Sequence, residues 1–282
     1  MKRVARLPAE PPALAAYRAS HAVDAAVSGA GAKSAWDRFR DDATYKVVRD
    51  ALLKAQHGLC AYCEQRITNT SGEIIELDQQ IEHVLPKSSG AGRTLDWKNF
   101  MLGCAGGCYR YHKDPTRYSP GKNVSCGQCK GDRLLEPGCD PRDIPLLYLI
   151  VDIGMDGRIV ANGAACELAG IAHGLLDRMI NDTLNLNCER LRRAREKALD
   201  NVRAWLVPLL QSALDGAHLT DERRDQFFLI LVESRLNPDR HGHLRAFWTA
   251  ERQYLAPLAD TWISQNADTL GGLAPETLAG TP

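Results

Sequence analysis

The sequence predicts an α+β fold in which a loop-rich, metal-stapled module is embedded in a mainly helical chain. Three observations predict it. Cysteines and glycines crowd into residues 60 to 135, where long apolar periods are few. Apolar residues recur at helical spacing on both sides of that segment. Two short apolar runs flank a glycine-bounded turn between the module and the C-terminal helices. With 44% hydrophobic and 25% charged residues over 282 positions, the composition is that of a globular chain with a sizeable core. Three regions follow: an N-terminal arm and linker over 1–33, the stapled core over 34–140, and a hairpin plus helical region over 141–282.

In chain order, residues 1 to 32 are rich in Ala, Pro and Gly, with a short helix around Leu14 to Val27 and a linker at Gly29 to Ser34. Prolines and Glu10 interrupt the opening stretch where an export signal would need unbroken apolar residues, which implies a cytoplasmic location. The run from Ile144 to Ile153 contains Pro145 and Asp152 and is too short to span a bilayer, so no membrane role is expected. Trp36, Phe39, Tyr45, Val48, Leu52 and Leu53 define a helix leading into Cys60. Leu146 to Ile153 and Arg158 to Ala161 enclose Gly154-Met155-Asp156-Gly157 as a hairpin. Beyond Leu175, an apolar stripe from Leu184 to Leu206 marks a long helix, followed by helices at Asp221 to Leu236 and His243 to Asn266. The cluster Arg190, Arg192, Arg193, Arg195 and Lys197 on the long helix reads as a solvated face.

Formal net charge is zero, but between Lys87 and Arg133 nine Lys/Arg stand against three Asp, a patch suited to phosphates. Nine cysteines in a reducing compartment, clustered in CxxC-like spacings, point to metal rather than disulfides. Cys60-Ala61-Tyr62-Cys63 has the spacing of a zinc knuckle. Cys104, Cys108, Cys126 and Cys129 offer the remaining ligands, with His112 and Cys139 in reserve. A four-cysteine site has no open coordination position, so such a zinc is structural.

Between the cysteine groups lies Ile81-Glu82-His83-Val84-Leu85-Pro86-Lys87-Ser88. A carboxylate can hold a hard cation such as Mg²⁺ or Mn²⁺ against a phosphate, and a neutral imidazole beside it can take a proton from an attacking water. Adjacent side chains on a strand point to opposite faces, so both can serve one site only at a bend or strand end, which Pro86 is placed to shape. Lys87, Lys98 and Lys130 are candidate phosphate contacts.

The order CxxC, Glu82-His83-x-x-Pro86-Lys87-Ser88, Leu95-Asp96-Trp97-Lys98-Asn99, further cysteines and Lys130-Gly131-Asp132 resembles the zinc-braced HNH endonucleases. Trp36-Asp37-Arg38-Phe39, Gln56 to Glu64 and Asp182-Thr183-Leu184-Asn185-Leu186-Asn187 narrow the resemblance to the HNH subunits of Septu-type and retron-associated bacterial antiphage systems. The resemblance implies a ββα-metal core, His83 as general base, Glu82 as ligand of the catalytic metal, and Asn99 as the amide that ties down the loop and positions His83. Its Lys-Gly-Asp register favours Cys60, Cys63, Cys104 and Cys126 as zinc ligands, with Cys108 or Cys129 as substitutes. The position after the fourth cysteine, commonly a His or Asn ligand, is Gly127 here, which leaves His112 or Asp132 to supply the last ligand. It also implies a nucleic-acid substrate, DNA ahead of RNA, and control by an ATPase partner, since this chain has no nucleotide-binding GxxxxGK[ST] loop. The rivals are a non-catalytic zinc-stapled binding module and a stand-alone HNH nuclease.

Overall fold

The computed structural model describes residue 4 and residues 9–75, 79–107, 120–144, 149–215 and 221–265. Helices α1 (Pro12–Ser20), α2 (Ala22–Ala26), α3 (Gly31–Arg40) and α4 (Ala43–Ala55) open the chain. Pro12 at the first turn of α1 suits a position whose N–H needs no helical partner. Leu14 and Tyr17 are buried in the same core as Phe39 and Val48, and the Tyr17 and Phe39 rings meet edge-on at 5.1 Å. The expected linker at Gly29 to Ser34 is instead largely the first turn of α3, where Ala32 and Ala35 are buried. Small residues there serve packing rather than slack. The single helix expected from Trp36 to Leu53 is two, because the Asp42 carboxylate caps α4 by accepting from the Thr44 N–H at 2.7 Å.

Strands β1 (Gln79–His83) and β2 (Phe100–Cys104) pair antiparallel, with Ile81 opposite Leu102 and His83 opposite Phe100. The Gln56 side chain, buried against β2, exchanges two 2.7 Å bonds with the Leu102 backbone, and the Ala61 N–H donates to the Leu102 carbonyl. These bonds join the CxxC turn to the hairpin. Short helices α5 (Pro120–Asn123) and α6 (Cys126–Lys130) follow, then the hairpin of β3 (Val151–Ile153) and β4 (Ile159–Ala161), where it was expected. Residues 146–148 of the first predicted run lie outside the described residues.

The long apolar stripe does not form one helix. Helices α7 (Gly163–Leu168) and α8 (His173–Arg178) lead into a π-turn at Met179–Thr183, and α9 (Glu189–Asp215) starts only after Asn185, which adopts a left-handed φ of 47°. The Asn185 amide donates to the Lys122 and Val124 carbonyls, while the Asn187 side chain pairs with both backbone groups of Ile159. Asparagine tolerates the left-handed region and its amide substitutes for missing backbone partners. Helix α10 (Asp221–Leu236) matches its expected bounds, whereas the predicted third helix is divided into α11 (Trp248–Tyr254) and α12 (Leu258–Gln265) at Pro257, which cannot donate to a continuing helix. A second apolar cluster, including Val202, Leu236, Trp248 and Trp262, packs these helices together. Among the described residues no helix is long and apolar enough to cross a membrane.

Candidate functional site

Four cysteine thiols converge, from Cys60, Cys63, Cys104 and Cys126, all buried and with their sulfurs within 4.8 Å of one another. Three separations are 4.0 Å (Cys60 to Cys126), 3.8 Å (Cys63 to Cys104) and 3.7 Å (Cys104 to Cys126). A tetrahedron with metal–sulfur bonds of about 2.3 Å has edges of about 3.8 Å, so the donor set suits a tetrahedral ion such as zinc. The CxxC turn brings the first two sulfurs together, β2 ends at the third, and Cys126 is fixed by its N–H donating to the Leu184 carbonyl at 2.8 Å. Burial alone would push the Cys60 thiol up, yet hydrogen bonds with Cys104, Cys126 and Cys63 bring it well below its ordinary range. Cys129 is outside this group: its thiol faces the Asp182 carbonyl and the Arg133 guanidinium. Cys108 and His112 lie outside the described residues.

Beside the cysteines, a cleft of about 500 Å³ is lined by Trp36, Arg40, Glu82, His83, Lys87, Gln128, Lys130 and Asp132, among others. Glu82 and His83 both reach it because His83 ends β1 and the chain bends at Val84. The His83 Nε2 lies 3.0 Å from the Thr94 carbonyl. A carbonyl only accepts, so Nε2 carries the proton and Nδ1 is left as the basic nitrogen. The Trp36 ring at 4.5 Å and the Phe100 ring at 5.2 Å fix the imidazole plane. Burial lowers the His83 pKa to about 4, with Lys87 and Lys130 adding to the shift, so the ring is neutral throughout the neutral range.

Burial raises the Glu82 pKa to about 7, opposed by Lys130 and a hydrogen bond from the Gln80 side chain. The Gln128 amide in turn donates to Gln80 Oε1 at 2.7 Å, so two glutamines orient the carboxylate. Glu82 is thus a buried, oriented carboxylate, and the exposed Asp132 lines the same cleft. Glu82 rests between two glycines: a Cβ on Gly103 would lie 2.7 Å from its Cγ, and one on Gly127 would coincide with its carboxylate. Position 127 therefore has no room for a ligand side chain while Glu82 keeps this pose. Gly127→Ala should displace the carboxylate, cost about 1–3 kcal/mol in urea unfolding, and weaken Mn²⁺ binding at unchanged zinc content; a variant with unaltered Mn²⁺ affinity would show that this contact is immaterial.

The Asn99 side chain accepts from the Leu85 N–H at 2.8 Å and donates to the Leu85 and Arg93 carbonyls at 2.9 and 3.1 Å. It bridges the two ends of the loop that holds Thr94 against His83. Asn99→Ala should lower stability by about 1–3 kcal/mol, the cost of stranding such groups, measured by equilibrium urea unfolding; an unchanged midpoint would deny the bridge its weight.

Of the expected phosphate contacts, Lys87 is half-buried at the cleft and Lys98 is exposed but is not part of its lining. Lys130 points inward, with Nζ donating to the His83 carbonyl at 3.1 Å and the Gly131 carbonyl at 3.2 Å. Gln80, Gln128 and Arg40 were not singled out from sequence. Gln80 had a signal, since strand residues two apart share a face.

No family model matches the chain. It is 26% identical over 189 residues to a protein of Escherichia coli described as the candidate HNH endonuclease of retron Ec83, covering 58% of this chain and 70% of that protein.

Proposed function

We propose that the chain is a metal-dependent HNH endonuclease that hydrolyses phosphodiester bonds of nucleic acid, with DNA ahead of RNA. The observation that carries the reading is one cleft holding an oriented buried carboxylate, Glu82, and a neutral imidazole, His83, whose proton is committed to Thr94. The similarity to the described HNH endonuclease supports it. In this reading β1, β2 and α6 form a ββα-metal core, and the four cysteines hold a structural zinc.

Glu82 holds Mg²⁺ or Mn²⁺, with Asp132 or His112 as the further protein ligand. When bound, that ion polarises the scissile phosphate and offsets charge on the leaving oxygen. His83 Nδ1 accepts the proton of the attacking water. Burial is the main cause of the low His83 pKa; substrate phosphate entering the cleft would offset only the smaller contribution of Lys87 and Lys130. Asn99 keeps the Thr94 loop in register, and Lys87 and Arg40 at the rim attract the backbone. The similar protein's name carries a retron association, and in this reading the chain is an antiphage effector with an ATPase partner supplying control.

The test is incubation of purified protein with supercoiled plasmid and with total RNA in Mg²⁺ or Mn²⁺, alongside Glu82→Gln. Cleavage by the wild type alone is the expected result. The crowding at Gly127 favours the rival of a binding module, and retained nucleic-acid binding with no cleavage in any metal, with or without an ATPase partner, would establish that rival instead.

A further inference from the structure

The expected solvated face of α9 is not solvated at two positions: Arg190 is 4% exposed and Arg195 1%. Among the described residues Arg195 donates only to the Gly157 and Leu186 carbonyls, with Cys63 and the buried carboxylate of Glu64 nearby but no hydrogen bond toward the cysteines. Arg190 differs. Among the described residues its hydrogen-bond acceptors are neutral, Gln65 Oε1 at 2.8 Å from Nη1 and Ser125 Oγ at 2.7 Å from Nη2, and its Nε is buried with no partner.

Both acceptor residues also donate to sulfurs of the cysteine cluster. The Ser125 hydroxyl donates onward to the Cys126 sulfur at 3.6 Å, and the Gln65 N–H donates to the Cys63 sulfur at 3.4 Å. The guanidinium lies over Gly107, where a Cβ would sit 2.6 Å from Nε, so only glycine lets it approach the turn that follows Cys104. Four thiolates around a divalent ion carry a net charge of about −2. A buried charge persists only where it is compensated, and of the two buried arginines near the cysteines it is Arg190 whose hydrogen bonds lead into the cluster.

We infer that Arg190 is the buried counter-cation of the four-cysteine metal centre, so that metal loading sets how firmly α9 is held to the cysteine module. The inference rests on metal at the cysteines and is independent of the nuclease reading. Without a metal, the hydrogen-bond acceptors of Arg190 are the neutral side chains of Gln65 and Ser125. With the metal bound, the guanidinium and the thiolate cluster stabilise each other through Ser125 and Gln65, which also orient Cys126 and Cys63.

The full chain is loaded with Co²⁺ as a probe, followed by sulfur-to-cobalt charge-transfer absorption, and then titrated with Zn²⁺ to rank affinities. Arg190→Met should weaken metal affinity about 10- to 100-fold and lower the urea midpoint of the loaded form more than that of the metal-free form. Unchanged affinity, or equal destabilisation of both forms, would reduce Arg190 to a structural hydrogen-bond donor and overturn the inference. If Arg190→Met does not fold, Arg190→Lys decides: keeping the charge should keep affinity within about tenfold, and a larger loss would place the role in the shape of the guanidinium rather than its charge.

Discussion

His83→Ala should lower phosphodiester cleavage by roughly 10²- to 10⁴-fold at unchanged zinc content and with a cooperative unfolding transition retained. The size follows from the ring's position. Its Nε2 proton is held by Thr94, its plane is fixed by Trp36 and Phe100, and its Nδ1 is therefore preorganised to accept rather than donate. A freely rotating imidazole would need to find that pose in each turnover. The measurement is initial-rate plasmid nicking at saturating Mn²⁺, with zinc quantified in the same samples. A variant that nicks as fast as the wild type would remove His83 from the chemistry and leave the cleft as a binding site. Trp36→Leu separates the two contributions: it leaves Nδ1 available but loosens the ring, so its loss should be smaller than that of His83→Ala.

Motifs whose meaning is local were legible in the sequence, while contacts that depend on the third dimension were not. Cys60-Ala61-Tyr62-Cys63 announced a paired-thiol turn, and the glycine-bounded turn at Gly154 to Gly157 announced its hairpin. Cys104 and Cys126 were named as partners of Cys60 and Cys63 only through the family resemblance, and the β2 pairing and Leu184 carbonyl that bring them onto the paired-thiol turn are contained in no spacing rule. Asp182 to Asn187 was visible as a motif, but its work, docking the helical region onto the segment before Cys126 through Asn185 and onto β4 through Asn187, needed the structure. Arg190 and Arg195 misled because charge on a helix usually means solvent; the exception arises where another buried charge requires an answer. The cap at Asp42 and the break at Pro257 were both written in the sequence and were overrun by apolar periodicity, which continues across a break when both helices face one core.

Removing the structural metal should have the largest effect on folding. Stripping it with a chelator, or replacing Cys126 by Ser, should abolish the native transition of the cysteine module in thermal unfolding followed by circular dichroism. Structural zinc sites contribute about 10–16 kcal/mol, as much as the whole stability of an ordinary domain at about 5–15 kcal/mol. The topology makes the dependence steep here, because the ligands come from three separate segments: the CxxC turn, the end of β2 and the start of α6. Without the ion the segments keep the Gln56 and Ala61 bonds to Leu102 and the Cys126 bond to Leu184, but lose the metal–sulfur bonds that would close the cluster. Cys129→Ser is the matched control, as its thiol faces the Asp182 carbonyl and Arg133 rather than the cluster; it should shift the midpoint by no more than a surface substitution, about 0.5 kcal/mol. A chelated protein with verified metal loss and an unchanged melting curve would show that packing alone holds the module. Because α6 carries both Cys126 and Gly127, collapse of the metal site should also release Glu82 from the wall of the cleft, so the proposed nuclease activity should disappear together with the fold.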